Sequence, residues 1–408
     1  MRHHFGVTLV IAMLGMLGPF TVDTIFPGFA AVGEQFRVDE VAMQQVTSVY
    51  LLSFAAMSLL HGPISDAVGR RPVMITGLVL YALASIGCAL SPNLGALLAF
   101  RSMQGLAAGA AQIISRTLIR DMFAGPAAQR LMAQVSMIFA VAPAVAPIVG
   151  GWLLQLGRWP VIFWFLTGFA LFLAVLVLLV VPETHPVENR VPFNLREVIG
   201  GVFEVGRHGA FQRLALTSTF AFAAQFLYIV GAPIFIVRLL GKGEQDFWML
   251  FVPLMASMIV GSFLNARLAH RVPGRKLATI GFGLTLVAGV VNVVASSLPG
   301  APALPWAVLG PSLVAFGVAL SFPVVQLVML DLFPRRRGAA ASMQAFVTLL
   351  FNAALAGVIS PLVSGTVLQM AMASAGFSVI GFLLWLWHLR AVPADREVVD
   401  DHSPASNR

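Results

Sequence analysis

A chain of 408 residues that is 59% hydrophobic and only 10% charged is too apolar for a soluble globular protein, in which about a quarter of the residues carry charge. Its net charge of +8 is spread over many short segments instead of one basic patch, which argues against a nucleic-acid partner. The lone cysteine, Cys88, excludes an internal disulfide.

Twelve stretches supply the about 20 apolar residues that a bilayer core about 30 Å thick demands. They run over 5–31, 42–64, 72–91, 94–115, 131–155, 159–181, 211–237, 247–269, 277–297, 303–330, 339–368 and 371–391. The first follows Met1-Arg2-His3-His4, yet it is too long for the core of a secretory signal and lacks an Ala-x-Ala site, so it reads as a retained helix. Inside it, Asp23 stands four residues before Pro27. Pro27 has no N–H, so the Asp23 carbonyl loses its helical donor. Carboxylate and freed carbonyl then meet at a kink, which a membrane helix tolerates only where another group satisfies the backbone. Asp23 is either a helix-end residue reaching water or a functional group, and the kink favours a proton-binding site.

The second stretch carries Tyr50 and ends in Gly62-Pro63-Ile64-Ser65-Asp66, followed by Gly69-Arg70-Arg71. Gly62 and Gly69 read as close-packing and tight-turn positions. In the fourth stretch Arg101, Gln104, Gln112, Ser115 and Arg116 fall on one helical face, beside Gly105 and Gly109. Arg101 either satisfies backbone carbonyls between helices or lines a cavity; it keeps its charge, so it can bias a nearby acid such as Asp23 or bind a substrate oxygen. Pro143 and Pro147 share a face of the fifth stretch with Gly150 and Gly151 one turn on, the pattern of a bend with small-residue packing.

The long polar interruption 183–210 separates the stretches six and six, dividing the chain into 1–182, the connecting loop 183–210, 211–392 and a tail, 393–408. Within the loop, 194–207 reads as a short helix at the membrane surface. An internal repeat supports the split: Gly261-x-x-x-Asn265 followed by Gly274-Arg275-Lys276 matches the 62–71 segment six stretches earlier. The same orientation after six spans means parallel halves. Gln225, Tyr228, Gln326 and Asn352 are sparse polar groups in apolar stretches, each an interhelical hydrogen bond or a pocket contact. With the N-terminus cytoplasmic, only Arg37, Arg158, Arg238 and Lys242 lie outside and Arg101 lies in the membrane, so 20 of the 25 basic residues are inside. Both termini are therefore expected in the cytoplasm. No histidine pair has metal-ligand spacing, and no Walker-type phosphate loop is present, so no metal, cofactor, ATP site or enzymatic activity is expected.

Gly62-x-x-x-Asp66-x-x-Gly69-Arg70-Arg71 resembles the loop signature of the major facilitator superfamily, with Ala67 where that signature usually has a basic residue. Arg101-x-x-Gln104-Gly105 is similar to the family's second motif, and Pro143-x-x-x-Pro147-x-x-Gly150-Gly151 to the antiporter motif, with Ala142 in place of a glycine. Together with Asp23-x-x-x-Pro27 and Arg116-x-x-x-Arg120-Asp121, the set resembles the Bcr/CflA (bicyclomycin resistance) group of twelve-span drug/proton antiporters. The resemblance implies an all-α integral membrane fold, with two parallel-repeat six-helix bundles around a central cavity in a bacterial inner membrane. Spans 3, 6, 9 and 12, which hold no ionisable residue away from their ends, would face lipid. It also implies proton coupling through Asp23 and Arg101, a latch in which Asp66, Arg70 and Arg71 join the halves, and hinges at Pro27, Pro143, Pro147, Gly150 and Gly151. Tyr50, Gln104, Gln112, Gln225, Tyr228, Gln326 and Asn352 would line the cavity. The expected partners are a small amphiphilic substrate, protons and the lipid bilayer, with the protein acting as a monomer. An importer or metabolite exporter on the same scaffold, or a ligand sensor, are the alternatives.

Overall fold

The computed structural model describes residues 2–122, 125–269, 271–300, 303–333 and 336–391. The tail 393–408 and the side chain of Arg120 lie outside the described residues. Every regular element among the described residues is helical. In chain order these are α1 (Arg2–Asp23), α2 (Phe29–Phe36), α3 (Glu40–Ser58), α4 (His61–Val68), α5 (Arg70–Ala89), α6 (Leu94–Met122), α7 (Gly125–Leu156) and α8 (Pro160–Val180). There follow α9 (Leu195–Gly206), α10 (Gly209–Val230), α11 (Trp248–Leu268), α12 (Gly274–Ser297), α13 (Trp306–Asp331), α14 (Arg337–Ala354), α15 (Ser360–Val363) and α16 (Val367–Ala391).

Among the described residues, nine helices are long and apolar enough to cross a bilayer, and ten when α3 and α4, bent by 49°, count as one span. The two expected spans that fall short are α6, whose hydropathy is lowered by Arg101, Gln104 and Gln112, and α7, represented by its apolar part Val141–Leu156. The first span breaks where Asp23 and Pro27 predict: α1 stops at Asp23, a short 3-10 turn covers Phe26–Gly28, and α2 carries the chain to Phe36. The break comes from the missing N–H and fixed φ of Pro27.

Packing repeats between the two sets of six. In the first set α6 packs on α1, α3 and α5; in the second α13 packs on α10, α11 and α12. Likewise α5 lies on α8, and α12 on α16. The four helices expected to face lipid expose large apolar side chains along their lengths, among them Leu83 of α5, Leu179 of α8, Val290 of α12 and Leu383 of α16. A bilayer covers such surface. The two sets meet mainly through α3 with α14 and through α7 with α11.

The segment 183–210 is not one connector. Its first part belongs to the first set: the Glu183 carboxylate accepts from the backbone N–H groups of Arg70 (3.0 Å) and Arg71 (3.2 Å), and the Val191 N–H donates to the Asp66 carbonyl (3.3 Å). The second part holds the expected surface helix, α9, capped by Asn194, whose side chain accepts from the N–H groups of Arg196 and Glu197. It packs on α14 of the second set and leaves Leu195, Ile199 and Phe203 exposed.

Candidate functional site

Where α1, α3, α5 and α6 converge, polar side chains are sealed among apolar ones. Arg101 is fully buried. Its Nε donates to the Val46 carbonyl (3.1 Å), and its Nη1 donates to the Thr21 carbonyl (3.0 Å) and to Gln104 Oε1 (3.0 Å). The guanidinium carbon sits 4.8 Å from the centroid of the Tyr50 ring, a favourable place for a cation. Gln104 passes the network on, donating to the Ser85 hydroxyl (2.7 Å) and accepting from the Cys88 thiol (3.6 Å). Thr21 and Tyr81 share a hydroxyl contact of 2.6 Å. Nη2 of Arg101 has no hydrogen-bond partner among the described residues. A buried cation held by carbonyls and a ring, with both N–H groups of one nitrogen spare, can take an oxygen of a bound molecule.

Asp23 closes α1 beside this network. It is buried, and its Oδ1 has no hydrogen-bond partner among the described residues. The structure gives no ion pair between Asp23 and Arg101; Tyr50 is within electrostatic reach of both. Any bias of Asp23 by Arg101 in this conformer therefore acts without a direct ion pair. Arg101 spends two of its donors on carbonyls of α1 and α3 instead.

Three glycines permit the convergence. A Cβ on Gly105 would overlap the Tyr50 carbonyl, and one on Gly150 would overlap the Thr24 carbonyl, directly after Asp23. A Cβ on Gly109 would come within 2.7 Å of the His61 ring. Gly151 faces the other set, where its Cβ would lie 3.1 Å from the Glu244 carbonyl oxygen. Helix α7 runs through both Pro143 and Pro147 without interruption. Gln112 turns towards α1, its amide against Gly18.

Candidates in the second set lie apart from this cluster. Tyr228 is buried and its hydroxyl accepts from Asn292 (2.8 Å), an interhelical bond. Gln225 is fully buried with neither amide atom bonded among the described residues, and Asn352 Oδ1 is also unpartnered. Gln326 is half-buried.

The loop residues expected to latch the halves pair within the first set. Arg70 bonds Asp66, Asp121 (3.2 Å) and the Ser65 hydroxyl (2.5 Å), and Arg71 reaches the Leu178 carbonyl. The conformer explains this correction: the substantial packing partners of α4 are α3, α5 and α6, all of the first set. Gly69 fits its expected role, with φ of +112° and a Cβ position 2.7 Å from Glu183. Gly62 does not. It lies inside α4 with nothing within 4 Å of its Cβ position.

The sets are joined at the opposite end. Gln45 Nε2 donates to the Gly357 carbonyl (2.7 Å), the Ser48 hydroxyl donates to the Ala353 carbonyl (2.8 Å), and Arg238 pairs with Glu40 (2.5 Å). Gly357 lies in a π-helical turn, Leu355–Ile359, and Pro361 four residues on offers its carbonyl no N–H. Sequence reading missed Gln45 and Ser48; the carbonyl left bare by Pro361 was the available signal.

Two sets of six helices in parallel repeat, joined at one end and holding a buried polar cluster within the first set, define a polytopic membrane protein. Comparison with known proteins identifies its lineage. The sequence pattern of the Major Facilitator Superfamily matches residues 9–361, and the chain belongs to that family. It is 29% identical over 366 residues to the MFS-type transporter YdgK of Bacillus subtilis, covering 89% of each protein. It is 27% identical to a bicyclomycin resistance protein homolog of Haemophilus influenzae, over 69% of this chain and 71% of that one. Among solved structures it resembles an inward-facing, occupied bacterial homolog of the human lysosomal transporter Spinster, with a TM-score of 0.76 at 16% identity, covering 99% of this chain and 100% of that one.

Proposed function

We propose that this protein exports small amphiphilic compounds in exchange for protons, as a monomer in a bacterial inner membrane with both termini cytoplasmic. Residues 1–182 and 211–392 form the two moving bundles, and alternating access comes from their rocking about the buried site. Asp23 carries the reading: a buried carboxylate with an unpartnered oxygen, at a helix break beside a fully buried arginine. An ionisable group kept at such a place in a membrane helix is costly and is retained for function. Asp23 loads and releases the proton, the spare Nη2 of Arg101 holds a substrate oxygen, and Gln104, Gln112, Gln225, Tyr228, Gln326 and Asn352 supply further contacts. The resistance named in the Haemophilus relative supports a drug-like substrate.

The test uses inside-out vesicles, a pH gradient and labelled bicyclomycin. Wild-type protein should accumulate the compound against its gradient. Asp23→Asn, which keeps the shape but cannot ionise, should still equilibrate it without accumulation. Full proton-driven accumulation by Asp23→Asn would refute the assignment of the proton carrier.

A further inference from the structure

At the end of the molecule opposite the joined one, three arginines of the second set lie over exposed rings. Arg213, near the start of α10, has its guanidinium carbon 5.4 Å from the centroid of the Trp387 ring, near the end of α16. Arg207 stands 4.8 Å over Phe203 where α9 ends, and Arg267 stands 5.0 Å over Phe263 towards the end of α11. The topology puts them at one level: α11 and α16 finish at this end, and α9 leads directly into α10, which starts there. Trp387, Phe203 and Phe263 are 58%, 58% and 60% exposed. In water such rings would be an apolar liability. Within about two turns of the ends of membrane spans they lie at the headgroup boundary, where aromatic rings collect and long cationic side chains reach up to the phosphates.

The charge pattern selects the lipid. None of Arg207, Arg213 and Arg267 is in an ion pair among the described residues. Two carboxylates of the same end go to other arginines, Glu204 to Arg336 and Asp331 to Arg337 (3.0 Å). Those two arginines open α14, which packs on α3 of the first set. Arginines at the junction of the sets are thus neutralised by protein, and arginines seated on lipid-facing rings are not. A guanidinium whose flat face rests on a ring keeps its N–H edge free, and that edge matches two oxygens of a phosphodiester. Phosphatidylcholine offers the same phosphate but brings its own cation, and the ring face that would take that cation is already occupied.

We propose that these three pairs bind the headgroup phosphates of anionic phospholipids of the phosphatidylglycerol type, with each ring against the glycerol–acyl boundary and each arginine on a phosphate. The grip is one-sided. At the same end of the first set Arg70 bonds Asp66 and Asp121, and Arg71 reaches the Leu178 carbonyl. That the first bundle then swings against an anchored second one rests on the rocking proposed above; lipid binding to purified protein does not.

The experiment is native mass spectrometry of detergent-purified protein titrated with dioleoylphosphatidylglycerol or dioleoylphosphatidylcholine, reading the apparent affinity of the first bound lipid. Wild-type protein should prefer the anionic lipid about fivefold or more, the attraction of one arginine at a membrane surface. The triple variant Arg207→Gln/Arg213→Gln/Arg267→Gln should lose that preference with phosphatidylcholine affinity unchanged. The control Arg271→Gln/Lys276→Gln/Arg390→Gln removes as many charges from exposed side chains of the same end and should keep it. Should either triple variant elute aggregated, Arg213→Gln and Arg390→Gln replace them, with a weaker hold on the anionic lipid expected for the first alone. No preference in wild type, preference kept without the ring-seated arginines, or equal loss in variant and control, the mark of undirected surface charge, would each overturn the proposal. None of these outcomes depends on whether the protein transports bicyclomycin.

Discussion

Removing the side chains that join the two sets should release the closed end by a calculable amount. In the double variant Gln45→Ala/Ser48→Ala, the bonds to the Gly357 carbonyl (2.7 Å) and the Ala353 carbonyl (2.8 Å) disappear. Each is a neutral hydrogen bond with a net contribution of about 0.5–1.5 kcal/mol. Both donors are half-buried, so water reaches the freed carbonyls and the lower part of the range applies. The pair then contributes about 1–2 kcal/mol, a shift of about 5- to 30-fold in the ratio of open to closed populations at this end. Spin labels at Leu156 and Leu298, exposed positions on opposite sets, report the separation by pulsed electron paramagnetic resonance, with buried Cys88 replaced by Ala. The ratio of long- to short-distance populations should grow by that factor. Pro361→Ala gives Gly357 an intrahelical donor, so Gln45→Ala should cost less in that background, a coupling that a double-mutant cycle measures. An unchanged distance distribution in the double variant, in protein that remains monodisperse, would refute the assignment of these bonds as the closure.

Two further expectations concern packing and capping. Gly150→Ala forces a methyl group into the Thr24 carbonyl and should cost about 1–3 kcal/mol, seen as a lower thermal unfolding midpoint together with impaired transport; Gly62→Ala, with open space around it, should leave the midpoint within error of wild type. Glu183→Ala removes the acceptors for the first two N–H groups of α5 and should cost about 0.5–2 kcal/mol, the range of a lost helix cap, with Glu183→Gln intermediate in the same melting assay.

The parts of this fold legible from sequence are those whose signal is carried by a side chain that conflicts with its surroundings. Asp23 and Pro27 locate the break in the first span, the Arg101–Gln104 stripe locates the polar cluster, and Asn194 before an amphipathic run locates α9. The parts that escape reading depend on backbone acceptors or on distant partners. Gln45 and Ser48 look like ordinary polar residues on α3, because the groups they bind are carbonyls with no identity in the sequence. Glu183 caps a helix that begins 113 residues earlier, and local periodicity cannot register that. Thr21, Ser85 and Cys88 look innocuous in apolar helices, although each extends the network around Arg101. The repeat misleads at one point: Gly62 and Gly261 occupy matching places, yet a Cβ at Gly261 would lie 2.6 Å from the Phe316 carbonyl oxygen whereas Gly62 has no neighbour. Matched motifs mark matched positions in the chain, and they do not guarantee matched contacts.

The divided connector sets a mechanical limit. Val191 is tied to the first bundle through the Asp66 carbonyl, and α9, packed on the second, begins at Leu195. Only Pro192, Phe193 and Asn194 lie between. Four residue steps of fully extended chain reach about 13–14 Å. The connector is thus a short leash rather than slack rope: the bundles can separate at this end by no more than the leash allows before the Val191–Asp66 bond breaks or α9 unwinds. The stroke of the machine is bounded by chain length, independently of whatever ligand or ion drives it.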